Sequence, residues 1–151
     1  MSNDLLSHRI LEDAKKRPAI LNDCERVIEE EVGAKSGLSG MAIKAGYLVV
    51  CKIKPGIIRE SMDGLLDDFV RRIDPFWQEH RSAGGSPEAF PGYMNGKSAQ
   101  IADALLGITD DRARRANNKT LVSAYEKLRP QGKKLVADAI PRVSAMLGKH
   151  L

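Results

Sequence analysis

The feature that most constrains this chain is the spacing of its apolar residues, which recur three and four positions apart between regularly placed prolines and glycines. This spacing puts apolar side chains on one face of an α-helix, whereas a half-buried strand needs strict alternation. Aromatic residues make up only 5% of the chain, and good helix formers such as Ala, Leu, Lys and Glu are plentiful. The sequence therefore predicts an all-α fold.

Prolines and glycines also indicate where the predicted helices begin and end. The pair Pro55 and Gly56 ends one helix, because neither residue continues helical structure well. Asp74 followed by Pro75 predicts the N-cap and first turn of a new, reoriented helix, and Asn118 predicts the cap of a later one. Together these signals predict a compact bundle of six to eight helices, several of them short.

The segment from about Leu38 to Ile53 differs from its neighbours, because its apolar residues fall at nearly every angle around the helix axis. A helix that is apolar all round is typical of a protein interior. Gly40 and Gly46 would also let another helix backbone approach closely. We therefore expect residues 38–53 to form a buried central helix, with the other helices wrapped around it.

Length and composition favour one cytoplasmic domain. The 151 residues fit a single domain, and 42% apolar with 29% charged residues is ordinary for a globular protein. The first residues carry charges where a signal peptide would be apolar, and the longest apolar run, Ala45 to Cys51, is far short of the roughly 20 residues that cross a bilayer. We expect a single helical domain over residues 1–151, without a membrane span.

No local motif identifies a catalytic, cofactor or metal site. Cys24 and Cys51 have no CxxC or Cys/His spacing and are expected to be buried free thiols. The acidic residues Glu60, Asp63 and Asp67 fall opposite the apolar stripe of their helix, where carboxylates are solvated. The chain has neither a GxSxG elbow nor a P-loop. The sequence predicts no catalytic residue, no cofactor and no metal.

Aromatic side chains beside a glycine-rich loop form a candidate ligand site. The loop SAGGSP, residues 82–87, lies between aromatic residues in the sequence. It follows a predicted helix end that carries a histidine, a residue able to exchange protons near neutral pH. The candidate ligand-binding residues are Trp77, His80, Phe76 and Tyr93. The alternative interpretation is a small satellite core beneath a long loop.

Positive charge is concentrated in the C-terminal part of the chain. Residues 91–151 contain 11 Lys or Arg and 5 Asp or Glu, whereas the remaining residues contain 13 and 15. Basic side chains beside short helices are able to neutralise phosphates. The residues that would bind nucleic acid or another anionic surface are Arg112, Arg114, Arg115 and Lys119. Intermixed acids such as Asp110 and Asp111 favour an ordinary surface instead, so nucleic acid is the less favoured partner.

One stretch of the sequence resembles a known family. The run KSGLSGMAIKAGYLVVCKIKPGIIRESMDGLLDDF, residues 35–69, followed by DPFW and later by AYEKLRP, resembles a family of small bacterial proteins of unknown function. The resemblance extends over most of the chain. It implies an ordinary bacterial cytoplasmic protein, and it implies no substrate, cofactor or catalytic residue.

These features favour a non-catalytic binding or protein-interaction module, with a homodimer as one form of it. The first alternative is an enzyme or small-ligand protein with a pocket near Trp77 and His80. The second is binding of nucleic acid or an anionic surface through the basic C-terminal part.

Overall fold

The regular structure of the protein is helical throughout residues 4–151, the part described by the computed structural model. Short 3-10 turns at Pro87–Ala89 and Arg129–Gln131 precede two of the helices. The eight α-helices are α1 (Leu6–Leu11), α2 (Arg17–Ala34), α3 (Gly37–Cys51), α4 (Ile57–Ser82), α5 (Phe90–Gly96), α6 (Ser98–Arg115), α7 (Lys119–Leu128) and α8 (Gly132–Lys149). The predicted all-α bundle of six to eight helices is confirmed.

Helix α4 is the element around which the bundle is organised. Its buried side chains follow one another at intervals of three and four residues, and they include Leu66, Val70, Ile73 and Trp77. This interval places them on one face of the helix. Helix α4 packs against α1, α2, α3, α5 and α6, and the buried core also takes side chains from α8. The longest amphipathic helix therefore supplies the centre of the fold.

The prediction that residues 38–53 form the buried central helix is wrong. Helix α3 lies at the surface, where only Gly40 and Ile43 are buried, whereas Leu38 is 87% exposed and Met41 68%. The large residues of α4 and α5 fill the core instead. Apolar residues all round a helix are compatible with two positions. The helix is either buried on every side, or buried on one face with the other apolar face exposed to solvent, because folded proteins also expose apolar residues.

The predicted helix start at Asp74 and Pro75 is also wrong, because α4 continues through both residues. The carboxylate of Asp74 instead accepts a hydrogen bond of 2.8 Å from the backbone N–H of Ser7, which lies in the first turn of α1 and has no partner within its own helix. Pro75 removes one backbone hydrogen bond from α4. Burial of Ile73 and Trp77 on either side of it offsets that loss.

Other boundaries follow the sequence closely. The predicted cap at Asn118 is confirmed, since its side-chain oxygen accepts a hydrogen bond of 3.0 Å from the N–H of Leu121 in the first turn of α7. Pro55 and Gly56 lie in the turn between α3 and α4. Gly56 has a φ of 76°, a backbone conformation that glycine adopts without steric cost.

The surface position of α3 predicts a clear contrast between two substitutions. Ile140→Ala removes a side chain that is fully buried and is expected to lower the free energy of unfolding by about 2–5 kcal/mol. Leu38→Ala on α3 is expected to change it by less than about 0.5 kcal/mol. Urea unfolding followed by circular dichroism measures both values. Equal losses in the two variants would show that α3 is buried after all.

Candidate functional site

A cavity of about 410 Å³ lies between helices α2, α3, α4, α6 and α8, with one residue of α7 at its edge. We call it the apolar cavity, because its walls are almost entirely aliphatic and aromatic side chains. Helices α4 and α8 supply the largest share of these walls: Ile58, Met62, Leu66, Phe69, Val70 and Ile73 on α4, and Leu135, Val136, Ala139, Val143, Met146 and Leu147 on α8.

Helices α2 and α3 line the cavity on the other side. Their lining residues are Cys24, Val27, Ile28, Glu31 and Val32 on α2, and Ile43, Gly46, Tyr47 and Val50 on α3. The α3 residues recur at intervals of three and four, which defines an inner face of this helix. Because the opposite face of α3 is exposed, a single helix separates this side of the cavity from solvent.

Charged groups in the cavity wall are paired with one another or with neighbours. The ammonium of Lys35 lies 3.6 Å from the carboxylate of Glu31 and 3.3 Å from that of Asp138. Glu31 also accepts a hydrogen bond of 3.1 Å from Arg142. These ion pairs join the end of α2 to α8, and they leave the remaining walls apolar.

Two ionisable side chains of the wall are neutral near physiological pH. Burial raises the pKa of the Cys24 thiol to about 11, and the negative charges of Asp23 and Glu25 act in the same direction. Burial and a hydrogen bond with Cys51 raise the pKa of Tyr47 to about 12. Around these residues the cavity therefore presents uncharged groups.

The predicted ligand-binding residues Trp77 and His80 lie close together but outside the walls of the apolar cavity. The Trp77 side chain is fully buried, and its indole N–H donates a hydrogen bond of 2.8 Å to the carbonyl of Asp4. The Nε2 atom of His80 lies 2.7 Å from the carbonyl oxygen of Ser86 in the glycine-rich loop. The His80 ring centroid is 5.0 Å from that of Tyr93.

The glycine-rich loop packs directly on His80. The N–H of Gly85 donates a hydrogen bond of 2.9 Å to the His80 carbonyl, and a Cβ atom at Gly85 would lie only 2.1 Å from the imidazole ring. Phe76 and Tyr93 are partly buried against the same core. These residues form a packed core beneath the loop, and a ligand-binding role for Trp77, His80, Phe76 and Tyr93 stays a prediction.

The predicted nucleic-acid-binding residues lie at the end of α6 and the start of α7. Arg112 donates a hydrogen bond of 3.0 Å to Asp68 of α4, while Arg114 and Arg115 both pair with Asp111. Lys119 is exposed at the beginning of α7. A second cavity of about 690 Å³, between α4, α6 and α7, includes Arg112 and Arg115 in its walls. Neighbouring carboxylates offset much of this positive charge, and nucleic-acid binding stays a prediction.

Two kinds of feature are absent from residues 4–151, a cluster of metal ligands and a membrane-spanning helix. In this part of the chain no group of three or more His, Cys, Asp or Glu side chains is placed to hold a metal ion. None of the helices described has the length and apolar character needed to cross a membrane. Both cysteines are free, as predicted, but only Cys24 is buried, whereas Cys51 is partly exposed.

The sequence patterns did not reveal the apolar cavity. Its lining residues are distributed from Cys24 to Leu147, and no short motif connects them. The sequence signal for it is the apolar pattern all round residues 38–53, which by itself predicts burial in the centre of the bundle. The inner half of that pattern lines the apolar cavity.

The raised pKa of Cys24 predicts slow alkylation. With a pKa of about 11, roughly one Cys24 thiol in a thousand is ionised at about pH 8, compared with about one in four for a free cysteine. In a Cys51→Ser variant, the rate constant for iodoacetamide is expected to be on the order of 100-fold below that of free cysteine, and to rise with pH. Unfolding in urea should restore the ordinary rate. A folded-state rate equal to that of free cysteine would contradict the burial of this thiol.

Comparison with known proteins identifies a family and no activity. No curated protein and no solved structure shows significant similarity to the chain. The model of a family of unknown function, DUF6918, matches residues 7–151. The match includes every residue that lines the apolar cavity, and it confirms the resemblance to a family of unknown function that residues 35–69 indicated. The chain therefore belongs to this family of unknown function.

Proposed function

We propose that the protein is a non-catalytic binding module that holds an apolar small molecule in the apolar cavity. The size of the cavity supports this function, since ligand pockets are mostly apolar and typically measure about 300–1,000 Å³. An apolar space of about 150 Å³ already takes up benzene. The apolar cavity, at about 410 Å³, is large enough for a ligand roughly two to three times that size.

The chemistry of the walls supports an aliphatic ligand with at most one polar end. Burial of each methylene group contributes about 0.8 kcal/mol, and the walls offer mainly such contacts. Polar groups are confined to a few positions, among them the ion pair of Glu31 and Lys35. The hydroxyl of Thr109 is already hydrogen bonded to Tyr125 at 2.8 Å. We therefore place the polar end of the ligand beside Glu31 and Lys35.

The cost of an empty cavity also supports occupation. Side chains that face an unfilled space lose the dispersion contacts that a packed core provides, and the loss of stability grows with the volume left empty. A ligand that fills the apolar cavity restores these contacts and binds only the folded state. Such a ligand stabilises the fold by mass action.

The position of α3 makes it the proposed entrance for the ligand. Its inner residues Ile43 and Val50 line the apolar cavity, while its outer face is exposed. Glycines with positive φ flank this helix: its first residue, Gly37, has a φ of 72°, and Gly56, in the turn that leads to α4, has a φ of 76°. Displacement of this one helix would widen the cavity, and the flanking glycines are able to absorb the change in backbone angles.

The remaining functional expectations from the sequence stay proposals. A cytoplasmic location is supported by the two free cysteines, because thiols remain reduced in that compartment. A protein partner, a homodimer and an enzymatic pocket near Trp77 and His80 stay predictions.

Filling the cavity by substitution tests the proposed function. Ala139→Phe adds a ring to the cavity wall on α8, whereas Ala145→Phe adds the same ring to an exposed position of the same helix. Calorimetric titration with decanol is expected to show binding to the wild type and to Ala145→Phe, with affinity at least about tenfold weaker in Ala139→Phe. Decanoate is expected to bind no more tightly than decanol, because Lys35 is already paired with two carboxylates.

Circular dichroism serves as the control for folding in this series, since an added ring sometimes overpacks a core. If Ala139→Phe does not fold, Ala139→Leu gives a smaller filling of the same site. Equal decanol affinity in the wild type and in a folded Ala139 variant would rule out the apolar cavity as the binding site.

A further inference from the structure

The outer face of α3 carries the large exposed apolar side chains of residues 4–151. These side chains, which are 46 to 87% exposed, are Leu38, Met41, Leu48 and Val49. Together with Ala42 and Ala45 they recur at intervals of three and four, and so form one continuous stripe along the helix. The stripe lies opposite the face that lines the apolar cavity. Clustered apolar exposure of this kind marks an interaction surface, whereas single exposed residues do not.

The residues around this outer face are basic, but Lys35, Lys54 and Arg59 are paired with carboxylates of Asp138, Glu60 and Glu25. The segment from Val32 to Arg59 contains no Asp or Glu, and its basic residues are Lys35, Lys44, Lys52, Lys54 and Arg59. Lys44 and Lys52 are exposed, and neither forms an ion pair with another of the residues described. Lys52 extends the stripe at its C-terminal end, seven residues after Ala45, and Lys44 lies beside it. The surface therefore combines an apolar stripe with two unpaired cations.

This charge pattern favours one occupant over a second copy of the chain. A two-fold interface pairs a surface with itself, so it would bring two copies each of Lys44 and Lys52 together with no carboxylate from this segment to offset their charge. An anionic membrane offers the complementary surface. Apolar side chains of a helix that lies flat enter the boundary between headgroups and acyl chains, and flanking lysines contact lipid phosphates.

We propose that the outer face of α3 docks the protein on the surface of a membrane that contains anionic phospholipids. Leu38, Met41 and Leu48 enter the headgroup boundary, and Lys44 and Lys52 bind the phosphates. Docking requires no membrane-spanning helix and does not depend on the apolar cavity. Docking also places the proposed entrance of the cavity beside the acyl chains of the membrane. This connection between the two sites rests on the proposed ligand-binding function.

Vesicle sedimentation with the full chain tests this proposal. The wild type is expected to bind vesicles of phosphatidylcholine and phosphatidylglycerol, to bind pure phosphatidylcholine vesicles weakly, and to dissociate as salt is raised. The double variant Lys44→Gln and Lys52→Gln is expected to lower the partition coefficient about 30-fold.

The matched control removes the same charge from α4 through Arg71→Gln and Arg72→Gln, since both arginines are exposed. This control should bind like the wild type to within about threefold, the residual effect of net charge.

Leu48→Asp tests the apolar part of the surface and is expected to abolish vesicle binding. Because Leu48 is exposed, the variant should keep the helical circular dichroism spectrum of the wild type, and Leu48→Ser replaces it if it does not. Decanol binding should be unchanged in these variants, which separates failure of docking from failure of the apolar cavity.

Three results would overturn the proposal. The first is equal loss of vesicle binding in the α3 and α4 charge variants, which would indicate a response to net charge alone. The second is unchanged binding in Leu48→Asp. The third is a combination of two observations: the wild type does not bind vesicles, and light scattering shows a dimer that the Leu48→Asp substitution dissociates. The outer face of α3 would then be an interface between two copies of the chain.

Discussion

Burial of one face of α4 is the constraint on which the rest of the structure depends. Leu66, Val70, Ile73 and Trp77 form an apolar stripe along this helix, and five other helices pack around it. The stripe continues across Pro75, although proline removes a backbone hydrogen bond. Side-chain burial therefore outweighs the effect of Pro75, and the helix continues to Ser82. In this helix the Asp74 carboxylate lies beside the first turn of α1 and accepts a hydrogen bond from it.

The central position of α4 leaves α3 at the surface with two apolar faces. One face, with Ile43 and Val50, lines the apolar cavity. The other face exposes Leu38 and Leu48 to solvent. The outer face of this helix gains no free energy from burial in the isolated chain. Both proposed activities, ligand binding inside and membrane docking outside, give these residues an environment that suits them.

The glycine-rich loop shows why an aromatic cluster beside a loop is an ambiguous pattern. Trp77 and His80 satisfy their polar atoms with backbone carbonyls, and Gly85 packs against the imidazole so closely that a side chain would not fit. The same residue types, one turn apart, suit either a pocket or a small core. Their polar partners lie on segments that sequence spacing does not connect.

Local chemistry in the sequence determined the helical class, the cap at Asn118 and the glycine turn at Gly56, because each depends on hydrogen bonds and backbone angles among near neighbours. It also determined that residues 38–53 are apolar on every side. Only the tertiary structure decided which helix is central, that α4 continues through Pro75, and that residues of α2, α3, α4, α6 and α8 line one apolar cavity. These outcomes depend on which apolar faces of all the helices pack together in the core. The sequence of a single helix determines its own apolar faces but not which of them is buried.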